Sequence, residues 1–145
     1  MLMKYKLVKA KDKDINKLIE HKKRTIYEYS HNLSNEEINK INNYIKNEVI
    51  KLLDYYCNII IDNQIIGCVL LTNKDEGKLL DEIYIEEKYR NKGIGTDIIK
   101  NIINNNDIVY LWVYKENIKA ISLYKKLGFN IIEETDTRYY MKYKK

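Results

Sequence analysis

The segment Tyr89-Arg90-Asn91-Lys92-Gly93-Ile94-Gly95-Thr96 decides how this chain is read. A strand-like run, Leu79-Leu80-Asp81-Glu82-Ile83-Tyr84-Ile85, leads into it. A helix-like run, Thr96-Asp97-Ile98-Ile99-Lys100-Asn101-Ile102-Ile103, leaves it. Glycines at such a junction let the backbone turn sharply and turn its N–H groups outward. The helix that follows adds the positive end of its dipole, so the junction suits phosphate oxygens. Arg90 and Lys92 add charge at the same place. Other phosphate-binding loops fit poorly. No Lys-Ser or Lys-Thr follows the glycines, and the third glycine of a dinucleotide fingerprint is missing.

Working outward, Lys4 to Lys9 reads as a first strand and Lys13 to Tyr29 as a helix, with Ile15, Leu18, Ile19 and Ile26 on its apolar side. Ser34 is an N-cap for a second helix, with Glu37 as its capping-box partner and Ile38, Ile41, Ile45, Val49 and Leu52 as its stripe. Tyr56 to Ile61, Gln64 to Thr72 and Leu79 to Ile85 read as strands of a meander, joined by turns at Asp62-Asn63 and Asn73 to Gly77. The apolar run from Ile65 to Leu71 suits a central strand covered on both faces. After the glycine loop come a helix from Gly95 to Asn104, a strand from Ile108 to Val113, and a helix from Asn117 to Leu127 capped by Gly128. Strands from Phe129 to Glu134 and Arg138 to Tyr143 end the chain, with a turn at Asp136-Thr137. The pattern predicts an α/β (α+β) fold: a mixed sheet of six or seven strands with helices on both faces.

The 145 residues suit one domain, 1–145, large enough to bury a core. The net charge of +5 favours an anionic ligand without naming it. The start, Met1 to Val8, reads as a strand rather than a signal peptide, no run is long and apolar enough to span a membrane, and a cytoplasmic location is expected. Cys57 and Cys68 sit in apolar runs and read as buried thiols. His21 and His31 read as surface or helix-cap residues, and no metal site is expected. Lys22-Lys23-Arg24 reads as a solvated face. The tyrosines follow no basic stripe, so neither nucleic acid nor membrane is expected as a partner.

Two motifs together identify a family resemblance. Arg90-Asn91-Lys92-Gly93-Ile94-Gly95 resembles the arginine-x-x-glycine-x-glycine hallmark of the GNAT superfamily of acyl-CoA N-acyltransferases. The run Asn117-Ile118-Lys119-Ala120-Ile121-Ser122-Leu123-Tyr124-Lys125-Lys126-Leu127-Gly128-Phe129 resembles its asparagine, alanine, aromatic and Gly-Phe pattern. Glu87 stands where the family often has proline. The resemblance implies acetyl-CoA (coenzyme A) as cofactor and a splayed pair of parallel strands that receives the thioester. Backbone groups of Arg90, Asn91, Lys92, Gly93, Ile94, Gly95 and Thr96 would hold the pyrophosphate. Ile83 and Ile85 would pair with the pantetheine arm, and Asn117 and Tyr124 would also touch the cofactor.

The implied chemistry is transfer of acetyl to a primary amine of a small molecule or peptide. Tyr124 would protonate the departing thiolate, Asn117 would position, and the N–H of Ile85 would meet the oxyanion. Glu82 is the leading base, because a carboxylate inside an apolar strand is unusual; Asp81 is the alternative, with Glu86 or Glu87 behind it. Strand alternation is expected to set Leu80, Glu82, Tyr84 and Glu86 on one face and Asp81, Ile83 and Ile85 on the other. Arg24, Tyr27, Glu82, Trp112 and Tyr139 are candidates to line the acceptor cleft. Bacterial ribosomal-protein N-terminal acetyltransferases often carry glutamate where Trp112 stands. An acyl-CoA sensor with little turnover, another acyl group, or a hydroxyl acceptor are the alternatives. A monomer or homodimer is expected.

Overall fold

In the computed structural model, which describes residues 3–145, the elements run β1 (Lys6–Lys9), α1 (Ile15–Glu28), α2 (Asn35–Lys51), β2 (Tyr56–Ile61), β3 (Gln64–Lys74) and β4 (Gly77–Ile85). There follow α3 (Ile94–Asn105), β5 (Ile108–Tyr114), α4 (Ile118–Lys126), β6 (Asn130–Glu134) and β7 (Arg138–Lys144). The seven strands form one sheet in the order β1-β2-β3-β4-β5-β7-β6. Among the described residues, only β4 and β5 are parallel; every other pair is antiparallel. Met1 and Leu2 lie outside the described residues.

Local chemistry accounts for most boundaries. Ser34 accepts from the Glu37 N–H, and Glu37 accepts from the Ser34 N–H, each at 3.1 Å, so the capping box opens α2. Asp62 and Asn63 both take positive φ, 49° and 64°, which suits the two-residue hairpin between β2 and β3. Gly128, at φ 104°, ends α4. β1 starts later than expected, at Lys6. Tyr5 leaves the strand to pack beside α3, where its hydroxyl donates to Asp97 at 2.5 Å.

Two cores lie on opposite faces of the sheet. One joins α3 and α4 to Val69, Leu80, Val109, Leu111, Val113 and Met141. The other joins α1 and α2 to Tyr56, Cys68, Leu70 and Tyr84. Residues 66–70 of β3 are all buried between them, as the continuous apolar run predicts.

The register of β4 departs from simple alternation. Its pairing with β3 runs from Gly67↔Ile85 to Leu70↔Glu82, then shifts so that Leu71 faces Leu80. Asp81 is the extra residue of a bulge. Leu80 therefore joins Ile83 and Ile85 on the α3–α4 face, while Glu82 and Tyr84 turn toward α1 and α2. This corrects the expected grouping of Leu80 with Glu82: an inserted residue inverts every side chain beyond it. The parallel pairing of β4 with β5 also ends there, at Leu80↔Leu111. Beyond it the two strands part.

Gly67 sits opposite the distal limb of β4, where a Cβ would stand 2.0 Å from the Tyr84 carbonyl oxygen. Backbone cannot yield as a flexible side chain can. Gly67→Ala is expected to lower the unfolding free energy in urea by about 2–3 kcal/mol; an unchanged midpoint and slope would show that the β3–β4 spacing is not tight.

Candidate functional site

The parted strands leave backbone groups without a ladder partner. The Glu86 N–H donates to the Ile66 carbonyl at 2.8 Å, so at this parity Tyr84 and Glu86 address β3. Alternation then points the N–H and C=O of Ile83 and Ile85 away from β3, into the opening. The Ile85 carbonyl is already engaged by Arg90 Nε at 2.7 Å. What remains is a short edge able to pair with an extended, amide-bearing chain.

Beside this opening lies a cavity of about 560 Å³ walled by Ile83, Ile85, Arg90, Asn91, Gly93, Ile94, Gly95 and Thr96, and by Asn117, Lys119 and Tyr124 from the far side. Gly93 is the N-cap of α3 at φ 87°, and Asn91 also has positive φ, 60°. Successive backbone N–H groups in such a turn, ahead of a 12-residue helix, make an anion cradle. A Cβ at Gly95 would meet the Ile85 side chain at 3.3 Å, so loop and strand lie close together. Of the two charges that the sequence places here, Arg90 walls the cavity and Lys92 does not. Arg90 stacks over Tyr84 at 5.5 Å and clamps the end of β4, and Lys92 is exposed and outside the cavity wall. A further cation reaches the loop from α4: Lys119 donates to Asn91 Oδ1 at 2.6 Å. Its position beside Asn117 was visible, but no spacing rule links it to a loop 28 residues earlier.

Asn117 caps α4, its Oδ1 accepting from the Ala120 N–H at 3.3 Å, and it walls both this cavity and a second one of about 640 Å³. Tyr124 also borders both, with Thr25, Tyr29 and Ile83. It is 8% exposed and packed at 5.7 Å against Phe129. Burial raises its phenol to about 12, so the hydroxyl keeps its proton near neutrality. Tyr29, stacked on Tyr114 at 4.8 Å, joins the end of α1 to the end of β5 at this junction.

Glu82 sits in the second cavity's wall, 7% exposed. Its Oε1 accepts from the Tyr56 hydroxyl at 2.8 Å and lies 3.6 Å from Lys22 Nζ; its Oε2 accepts from the Cys68 thiol at 3.3 Å. Burial raises its carboxyl above the usual range, while Lys22 and the two donors pull the other way. Sequence reasoning missed Lys22, placing it on a solvated face. Yet Leu18, His21 and Lys22 stand at helical spacing and all turn inward. His21 is likewise buried, 1% exposed, and stacks on Tyr84 at 4.7 Å, which corrects the expected surface histidine. His31 is exposed, 3.3 Å from Glu116. Cys57 is half-buried and Cys68 buried, both free.

Of the acceptor-side candidates, Glu82 and Trp112 wall the second cavity, with Arg138 lying 4.7 Å over the indole. Arg24, Tyr27 and Tyr139 stand outside its wall. Arg24 pairs with Glu20 at 2.8 Å, Tyr27 donates to Asn42 at 2.6 Å to tie α1 to α2, and Tyr139 packs on the α3–α4 core. No described helix is long and apolar enough to cross a membrane.

A family model described as an acetyltransferase (GNAT) domain matches residues 54–131. The spermine/spermidine N(1)-acetyltransferase of Bacillus subtilis (strain 168) is 34% identical over 70 residues, 44% of this chain and 46% of that protein. N-alpha-acetyltransferase 30 of Dictyostelium discoideum is 38% identical over 95 residues, 59% of this chain and 48% of that one. The chain thus spans less than half the length of these relatives. Among solved structures, the PaiA N-acetyltransferase of Thermoplasma acidophilum in complex with coenzyme A superposes with a TM-score of 0.76 at 21% identity, covering 99% of this chain and 100% of that one. At that identity the likeness is one of fold.

Among the described residues, the two buried nitrogens of His21 have no hydrogen-bond partner, and burial lowers the ring from 6.5 to about 4. Above the ordinary value of 6.5, folded and unfolded chains both hold it neutral. As pH falls from there toward 4, only the unfolded chain takes up the proton, so stability declines across that window. His21→Phe keeps the stack on Tyr84 and removes the titration. The drop in urea midpoint between about pH 7 and about pH 4.5 is expected to shrink in this variant; an equal drop would mean that His21 titrates normally.

Proposed function

The chain belongs to the GNAT family of acetyltransferases, whose domain model covers residues 54–131, and we propose that it moves an acetyl group from acetyl-CoA to a primary amine. One observation carries this reading: β4 and β5 part beside a glycine-shaped helix start, with the buried Tyr124 hydroxyl-bearing ring at the junction of two cavities. The donor set fits the cofactor. The N–H groups around Gly93 and Gly95 suit a pyrophosphate, and the edge of Ile83 and Ile85 suits the amides of a pantetheine arm. When bound, acetyl-CoA supplies an activated acetyl thioester.

The residues then divide the work. Glu82, basic for a carboxylate because it is buried, draws the amine into the second cavity and takes its proton, directly or through water. The Ile85 N–H, facing the opening, donates to the carbonyl oxygen as it gains charge. Tyr124 donates to the departing sulfur. The dry surroundings that hold the phenol at about 12 also make a thiolate there more basic, which favours sharing or transfer of that proton. Asn117 fixes the start of the helix that carries Tyr124. The amine belongs to a small molecule or a peptide. The relatives named as a spermine/spermidine N(1)-acetyltransferase and as N-alpha-acetyltransferase 30 lend the class but not the acceptor.

The test is acetyl-CoA binding by calorimetry, then thiol release with a panel of amines and peptides. Acceptor-dependent release supports transfer; tight binding with no release from any acceptor supports an acyl-CoA sensor instead. Tyr124→Phe keeps the ring and is expected to lower kcat roughly 100-fold with the acetyl-CoA Kd unchanged; wild-type turnover would remove the acid role. Gly95→Val, which crowds Ile85, is expected to raise the acetyl-CoA Kd at least about tenfold while the fold persists by circular dichroism.

A further inference from the structure

The second cavity carries a guanidinium that forms no ion pair among the described residues. Arg138 opens β7 and spreads over the Trp112 ring at 4.7 Å, and Trp112 leans on Tyr140 at 4.5 Å. The other two cations of that wall are matched: Lys22 lies 3.6 Å from Glu82, and Lys40 lies 3.6 Å from Glu36. Among the described residues, Arg138 forms no ion pair. The carboxylate facing it from β4, Asp81, feels its charge without bonding to it. The backbone of Arg138 is held by the turn before β7, its N–H donating to Thr135 Oγ1 at 3.0 Å and its carbonyl accepting from the Thr135 N–H at 2.8 Å. A half-buried guanidinium on a fixed backbone, stacked on an indole and unpaired, is poised for a planar anion that it can grip with two N–H groups.

The same wall is ill suited to a polycation. Lys22, Lys40 and Arg138 stand against Asp81 and Glu82, three positive charges to two negative. The acids lie together on β4, beside the opening, and Arg138 lies on β7. This polarity suits an acceptor with its amine at one end and its carboxylate at the other. Resting on the acetyl-transfer reading above, we propose that the acceptor is a small amine bearing a carboxylate, an amino acid or close analogue. Its carboxylate sits on Arg138 and its amine at the Glu82 end.

The experiment compares kcat/KM for amino acids, their carboxamides, spermidine and short peptides, on the wild type, Arg138→Gln and Arg138→Lys. Acids are expected to exceed their carboxamides by about tenfold or more. Arg138→Gln should erase that preference by lowering kcat/KM for the acids, while Arg138→Lys restores part of it. In parallel, calorimetry titrates N-acetyl amino acids into the CoA-loaded protein, where Arg138→Gln should weaken binding about tenfold. The proposal falls if carboxamides, peptides or spermidine are used as well as the acids, or if Arg138→Gln changes neither readout. If no amine turns over, the acetyl-transfer reading fails and the titration decides alone. Binding lost with Arg138 upholds the carboxylate site, and equal or absent binding to both proteins overturns it.

Discussion

One inserted residue, Asp81, governs the geometry of the site. Without a bulge, β4 would continue beside β5 and their backbone groups would satisfy one another. With it, pairing stops at Leu80↔Leu111, and β4 bends away while remaining locked to β3 on its other edge. The opening is therefore held apart by a full antiparallel ladder on one side and by the β5–β7 ladder on the other. Unpaired backbone in a protein interior is costly, so a rigid scaffold that keeps it unpaired amounts to a place for a ligand to complete the sheet.

The same bulge decides the chemistry of β4. By inverting the face of everything after Leu80, it sends Glu82 into the α1–α2 side, where Lys22, Tyr56 and Cys68 surround it. A carboxylate buried in that manner survives only because it is bonded on both oxygens and faces a cation. The arrangement holds Glu82 at one orientation beside the second cavity. Removing Lys22 would leave a buried charge unmatched, so the helix α1 is tied to the sheet by electrostatics as well as by Leu18.

The two cavities meet at Tyr29, Ile83, Asn117 and Tyr124, with one lobe shaped by α3 and α4 and the other by α1, α2 and the β6–β7 hairpin. The first lobe is built from backbone: glycine turns, a helix start and a strand edge. The second is built from side chains: paired lysines, aromatic rings and an unpaired arginine. Backbone recognition suits a cofactor of constant shape, whereas side-chain recognition is free to vary with the acceptor.

Much was legible in the chain itself. Hydrophobic spacing, the Ser34–Glu37 box, the Asp62-Asn63 turn and the two motifs determine the order of elements and the position of the glycine loop, because those signals are local and depend on residues a few places apart. The helical stripe of Leu18, His21 and Lys22 was also present and passed over, since charge and titratability read as exposure when burial is unknown. Tertiary structure alone decided the rest. The bulge at Asp81 arises from register between strands, so no alternation within β4 reveals it. Lys119 meets Asn91, Lys22 meets Glu82, and Arg138 meets Trp112 across separations that only packing closes. Local sequence sets backbone preferences, but the pairing of distant side chains depends on how the sheet orders its strands.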